Sequence, residues 1–257
     1  MNVATMNVAL DEDFHVHSTF SDDGASTLAE NVRAARERGL RTMCLVDHVR
    51  RDTRWLPEFI AAVDQHRGQP GLRVLAGVEA KILDTAGHLD LPPDLQTLGG
   101  IDLVLIADHQ FPADNGPVHP DDMRAALELG SITPAEAIER LCEATAQAAT
   151  AQAAMGAAAA QSAAYGRPLL AHLFSLLPKI GLDEAMVPDA LLTDLAKRVA
   201  HAGAMVEVNE KWSCPSARAV AAMADAGVSL VAGSDSHHCR DIGVYHSVGQ
   251  TVRAAGG

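Results

Sequence analysis

Phe14-His15-Val16-His17-Ser18-Thr19-Phe20-Ser21-Asp22-Asp23-Gly24 places two histidines where a short apolar run stops. Side chains at i and i+2 of a strand share a face, so His15 and His17 can reach one metal ion while Val16 turns into packing. Working outward, the same event recurs at Asp47-His48, Glu79, Asp108-His109, His172 and Asp235-Ser236-His237, each after a short apolar run. A lone His-x-His is weak evidence. Its recurrence at nearly every predicted strand end is not, because barrels of alternating strands and helices carry their chemistry at the C-terminal ends of the strands.

Between these ends the chain alternates. Phe14 to His17 reads as a strand, followed by a helix from Thr27 to Arg38 with Thr27 and Glu30 in capping-box spacing and Gly39 as its stop. Further strands are predicted over 41–46, 72–78, 101–107, 168–171, 204–208 and 228–232, with helices near 56–66, 121–129, 188–201 and 216–226. The run from Pro134 to about Ala164 is alanine-rich and reads as one long ordered helix. Seven strand-helix alternations predict a single-domain distorted (β/α)7 TIM-like barrel over residues 13–257, preceded by a short, loosely ordered extension at 1–12.

The 257 residues, 48% hydrophobic, suffice for one large core. A formal charge of −13 argues against a long nucleic acid as partner, although metal ions can reverse the potential inside one cleft. Cys44, Cys142, Cys214 and Cys239 are scattered without Cys-x-x-Cys spacing, which predicts neither disulfides nor a thiolate zinc site and fits a reducing cytoplasm. No run suggests a signal sequence or a membrane span, and oligomeric state is left open.

His15-Val16-His17-Ser18-Thr19-Phe20-Ser21-Asp22-Asp23-Gly24, Leu45-Val46-Asp47-His48, Gly77-Val78-Glu79 and Gly233-Ser234-Asp235-Ser236-His237 resemble the motifs of the PHP (polymerase and histidinol phosphatase) superfamily, from about Asp13 to Gly243. The run Gly77 to Ile82 with Gly87-His88-Leu89-Asp90 is most similar to stand-alone phosphatase members. The resemblance implies a trinuclear site of zinc, manganese or iron held by His15, His17, His48, Glu79, His109, His172, Asp235 and His237, with Asp22 or Asp23 as the remaining ligand. It also implies a metal-dependent phosphoesterase in which a metal-bound hydroxide attacks phosphorus. Imidazoles mixed with carboxylates suit those borderline metals. A bound water, His237 or Asp235 would protonate the departing alkoxide.

Around that set, Asp47 and Asp108 are candidates to orient a neighbouring imidazole. Arg240, Arg50, Arg54 and Lys81 are the expected substrate contacts, with Arg51, Lys211 and Trp212 as further candidates, because guanidinium groups clasp phosphate on two prongs. A basic loop of this kind is equally compatible with a solvated turn. His66, His119, His201 and His246 are read as helix-end or loop residues, and His88, His238 and Cys239 as neighbours of the cluster without a ligand role.

A small phosphate monoester is the leading substrate class, histidinol phosphate its named candidate. A phosphodiesterase or nuclease acting on nucleotides and a non-catalytic metal-binding scaffold are the alternatives. Amide or ring hydrolysis is a minor fourth, lacking a lysine at a strand end that could bridge metals.

Overall fold

In the computed structural model, which describes residues 8–68, 70–159 and 166–256, the seven predicted strands form one parallel sheet. In chain order the elements are β1 Glu12–Val16, α1 Leu28–Glu37, β2 Thr42–Val49, α2 Leu56–Asp64, β3 Arg73–Lys81, α3 Leu95–Leu98 and β4 Leu103–Ala107. There follow β5 Phe111–Ala113, β6 Gly116–Val118, α4 Pro120–Glu128, α5 Pro134–Ala159, β7 Arg167–Leu170 and α6 Leu176–Lys179. The last five are α7 Asp189–His201, β8 Met205–Asn209, α8 Ala217–Asp225, β9 Ser229–Gly233 and α9 Ser247–Ala255. The barrel runs β1-β2-β3-β4-β7-β8-β9. It closes where His17 N donates to Ser236 O at 2.8 Å and Ser236 N to His15 O at 3.2 Å. This is a single-domain, nearly closed (β/α)7 TIM-like barrel.

Alternation inside the strands positions the site. Cys44 and Val46 of β2, Leu75 of β3, Leu103, Leu105 and Ala107 of β4 and Met205 of β8 fill the lumen. The same parity carried one step further puts His48, Glu79 and His109 above that plug, and His48 is the register partner of Glu79. β1 departs from simple alternation. Its register against β2 shifts between Asp13 and Val16, so Phe14 packs with the luminal residues and His15 and His17 still turn inward. Packing outside the barrel is conventional: Met43, Leu45, Val74, Ala76 and Val78 meet Val32, Phe59 and Val63 of α1 and α2.

Several readings need adjustment. The predicted strand 72–78 extends to Lys81, so Glu79 sits within β3 and not beyond it. The hairpin β5–β6 and the helix α9 were not foreseen. The long helix is present to Ala159, its first turn closed by a Thr133–Glu136 capping box, while the predicted turns at 160–164 lie outside the described residues. Alanine there permits close approach: a methyl group at Gly87 would lie 2.3 Å from Ala148 N. Of the supposedly loose extension, residues 1–7 lie outside the described residues, whereas Val8 is buried with Val208, Val220, Ala232 and Val248.

Candidate metal centre

Glu79 is the hub. His172 Nε2 lies 2.9 Å and His109 Nε2 3.0 Å from Oε1, and His48 Nδ1 lies 2.9 Å from Oε2. His15 Nε2 and His17 Nε2 each stand 3.4 Å from Oε2. Asp235 Oδ1 is 3.6 Å from His17 Nε2, and Asp23 Oδ2 lies 3.0 Å from His237 Nε2 and 3.5 Å from His48 Nε2. Three overlapping ligand groups therefore adjoin in one bowl: His17, His48 and His237; His15, His17 and Glu79; His48, Glu79 and His109. Asp23 joins them by contact; Asp22 lines the cleft above without touching them.

Two observations fit this bowl to cations. Glu79 Oε2 is buried without a hydrogen-bond partner among the described residues, although three imidazoles crowd it. His15 Nε2 and His17 Nε2 approach to 3.0 Å, where at most one can carry a proton. Ligating metal would satisfy both, and nitrogen with carboxylate donors suits zinc, manganese or iron. The backbone also bends to this purpose: His172 and Asp235 adopt φ of +31° and +52°, a region non-glycine residues seldom occupy.

Below the bowl, a second layer holds the imidazoles. Glu207 lies 3.0 and 3.2 Å from His15 Nδ1 and accepts from His172 N at 2.7 Å and Asn209 Nδ2 at 3.0 Å. Asp108 stands 3.3 Å from His172 Nδ1 and accepts from Ser175 Oγ at 2.8 Å. The Asp108 expectation is thus met at His172 and not at its neighbour His109. Asp47 does not touch the ring of His48; it accepts from Ser18 N, Ser18 Oγ and Ser21 N and so folds the loop after His17. Ser21 Oγ in turn receives the His48 amide.

Burial sets the protonation of this nest. For His15 burial disfavours the charged ring, but Glu207, Glu79 and Asp235 outweigh it and hold the pKa well above the ordinary value. Burial and then the charge of His15 hold His17 well below. His172 is raised to about 10, since its bonds to Asp108 and Glu79 overcome burial. Burial pushes Glu79 up, yet His109, His15 and His48 bring it well below the carboxylate range. Burial alone lifts Asp47 to about 6 against its hydrogen bonds. Asp235 is held low by His15 and His172 despite burial.

The bowl opens into a cleft of about 640 Å³. Arg50, Lys81, Lys211 and Trp212 line it, joined by Lys179 and Gln110, which no strand-end motif marks in the sequence. Trp212 Nε1 donates to Asp235 Oδ2 at 2.9 Å, Lys211 Nζ lies 3.2 Å from Asp235 Oδ1, and Lys179 Nζ stands 3.8 Å from the Trp212 ring centre. Arg240 is a correction: the turn 239–241 directs its side chain to Asp241, its carbonyl accepts from Arg38, and it is not among the cleft-lining residues. Arg54 is exposed and likewise absent from the lining, and Arg51 gives its amide to Asp90. His88 pairs with Asp84, and His119 caps α4. Glu207, in the strand-end run Glu207-Val208-Asn209, is a charge inside an apolar strand and must find partners there. Lys179, seven positions past His172, closes the short helix α6 and reaches the cleft only through the path of that loop.

Residues 13–156, more than half of the chain, match the PHP domain family. A protein named probable phosphatase from Vibrio parahaemolyticus is 28% identical over 133 residues, 47% of this chain and 49% of that protein. Another from Photobacterium profundum is 36% identical over 125 residues, 47% of this chain and 50% of its own. The chain thus spans about half the length of the curated relatives it matches. A crystal structure of histidinol phosphate phosphatase from Lactococcus lactis subsp. lactis, complexed with zinc, L-histidinol and phosphate, aligns with a TM-score of 0.65 over 95% of this chain and 92% of that one. At 16% identity that likeness concerns the fold. With its sequence matched over residues 13–156, and its strand-end histidines and carboxylates brought together in one bowl, this chain belongs to the PHP domain family.

Proposed function

We propose that the protein is a metal-dependent phosphoesterase that hydrolyses a small phosphate monoester at a trinuclear site, with histidinol phosphate as the first substrate to try. The observation that carries this reading is the buried Glu79 Oε2, which has no hydrogen-bond partner among the described residues and belongs to two of the three candidate ligand groups, beneath a cleft that Arg50, Lys81, Lys179 and Lys211 help to line. His15, His17, His48, Glu79, His109, His172, Asp235, His237 and Asp23 would hold the ions, zinc, manganese or iron by donor type. When bound, such ions polarise a phosphoryl group and acidify coordinated water.

The chain's own residues then divide the work. Glu207 and Asp108 fix the ring orientations of His15 and His172. Lys211 and Lys179 offer positive charge beside Asp235 for the reacting phosphate. Asp235, held ionised by its neighbours, suits a ligand better than a proton donor. Four unpaired thiols support a reducing, cytoplasmic setting. Among the described residues no helix is long and apolar enough to cross a membrane.

The test is phosphate release from a panel of phosphorylated metabolites after manganese or zinc loading, with bound metal measured on the same sample. Metal-replete protein that releases phosphate from none of them defeats the proposal; turnover of oligonucleotides but not monoesters would hand the site to phosphodiesters.

A further inference from the structure

We infer that the substrate carries a second anionic group, a carboxylate or a second phosphate, received by a subsite made of Arg50, Lys81 and Gln110. The inference rests on the phosphoesterase reading and specifies what that site takes; it points away from histidinol phosphate, whose far end carries an ammonium and no second anion.

The first ground is the distribution of charge. In a chain of 33 acidic and 20 basic residues, Arg50, Lys81, Lys179 and Lys211 line this one cleft beside five carboxylates, of which Asp23, Glu79 and Asp235 belong to the candidate ligand set and Asp22 and Asp90 do not. The second is topology. Arg50 follows β2 and Lys81 ends β3, whereas Lys179 and Lys211 follow β7 and β8. In the barrel order these pairs are separated by β4 on one side and by β9 and β1 on the other. Two cationic rims therefore face each other with the bowl between them.

The rims differ in what they touch. Lys211 Nζ contacts Asp235 Oδ1 and His237 Nδ1, both at 3.2 Å, which ties that rim to the reacting end. Lys81 Nζ touches neither; it meets Gln110 Oε1 at 3.0 Å and stands 3.9 Å from Asp90 Oδ2. With its oxygen so engaged, the Gln110 amide presents its NH2 group elsewhere, and among the described residues no acceptor takes it. Arg50 has no carboxylate within salt-bridge distance among the described residues. Asp90 shares the lining, but it is already bound by the Arg51 amide at 3.0 Å and by Lys81. Asp22 belongs to the loop after β1. A guanidinium, an ammonium and an amide donor thus line the cleft from β2, β3 and the residues after β4, a donor set that matches an oxyanion. Volume agrees, since about 640 Å³ is far more than one phosphoryl group fills and lies in the range of sites for whole small molecules.

Metal-loaded full-length chain is assayed on matched esters that differ in the second anion: 3-phosphoglycerate against glycerol 3-phosphate for a carboxylate, and a nucleoside 3′,5′-bisphosphate against the 5′-monophosphate for a phosphate. In one pair kcat/KM should favour the doubly charged member. In Arg50→Gln and Lys81→Gln that preference ratio should fall by about tenfold or more, the size of one lost charge-assisted hydrogen bond. The pair that responds identifies the second group. A ratio near one in the parent, or an unchanged ratio in both variants, overturns the inference. If no ester is cleaved, the phosphoesterase reading fails separately, and calorimetry with 2-carboxyethylphosphonate against ethylphosphonate decides the subsite: equal affinities overturn it, and tighter binding of the bifunctional compound that is lost in Arg50→Gln upholds it.

Discussion

His15 and Glu207 are locked together under the ligand bowl, with Nδ1 lying 3.0 and 3.2 Å from the two carboxylate oxygens and both side chains fully buried. A proton held on Nδ1 by this contact leaves the Nε2 lone pair free to ligate. Glu207→Gln keeps the shape but loses the charge, and metal affinity should drop by about tenfold to a hundredfold, the usual effect of removing such a support. Chelator competition followed by metal analysis measures this. Unaltered affinity would mean that Glu207 is only a packing residue.

Gly233 depends on the same carboxylate. A methyl group there would stand 1.8 Å from Glu207 Oε1, and the carboxylate is kept in place by His15 and Asn209 at Oε1 and by the His172 amide at Oε2. Gly233→Ala should therefore cost about 1–3 kcal/mol, as overpacking does, and weaken metal binding as well. Thermal melts of metal-free and metal-loaded samples check both effects, and a variant that matches the parent in each would contradict the close approach.

A catalytic cluster and a structural one respond differently to the loss of one ring. His17→Ala should abolish phosphate release and reduce bound metal while leaving a cooperative melt, because the four packed clusters of the core do not rest on His17. Metal removal from the parent should lower Tm by about 5–10 °C for each ion that was present at a hundredfold over its Kd, given linkage of about 2.7 kcal/mol per site and a domain of this size. Global unfolding of His17→Ala, with a parent inactive on every ester, would favour the scaffold.

The cysteines should separate cleanly by reactivity. Burial pushes the thiols of Cys44 and Cys214 well above the ordinary value and that of Cys142 up to about 12, whereas Cys239 is partly exposed. Because burial disfavours the thiolate, these three remain protonated at pH 8. Titration with a thiol reagent should count about one fast group in native protein and all four in denaturant. For Cys142, reactivity should keep rising with pH beyond 9 until the fold is lost. Fast labelling of more than one native thiol at pH 8 would refute the assignment.

Much of this molecule was legible before folding. Apolar runs located all seven barrel strands, six of them ending in His, Asp or Glu, and Thr27 with Glu30 forms the capping box read from their spacing. Those signals are local: strand parity and helix caps depend on residues one to four positions apart. The identity of the donors at 15, 17, 48, 79, 109, 172, 235 and 237, and hence the kind of ion they suit, was fixed by residue type alone.

What only the folded chain decided concerns relations between distant segments. Asp23 and not Asp22 reaches His237, Arg240 turns to Asp241, and Lys179 crosses to Trp212 because loop paths are set by what they pack against. Glu207 supports His15 across 192 positions of chain, and the shift of register in β1 that turns both histidines inward exists only when β2 lies alongside. The sequence chose the donors, since chemistry resides in side-chain type; barrel closure chose their partners, since distance in space is not written in distance along the chain.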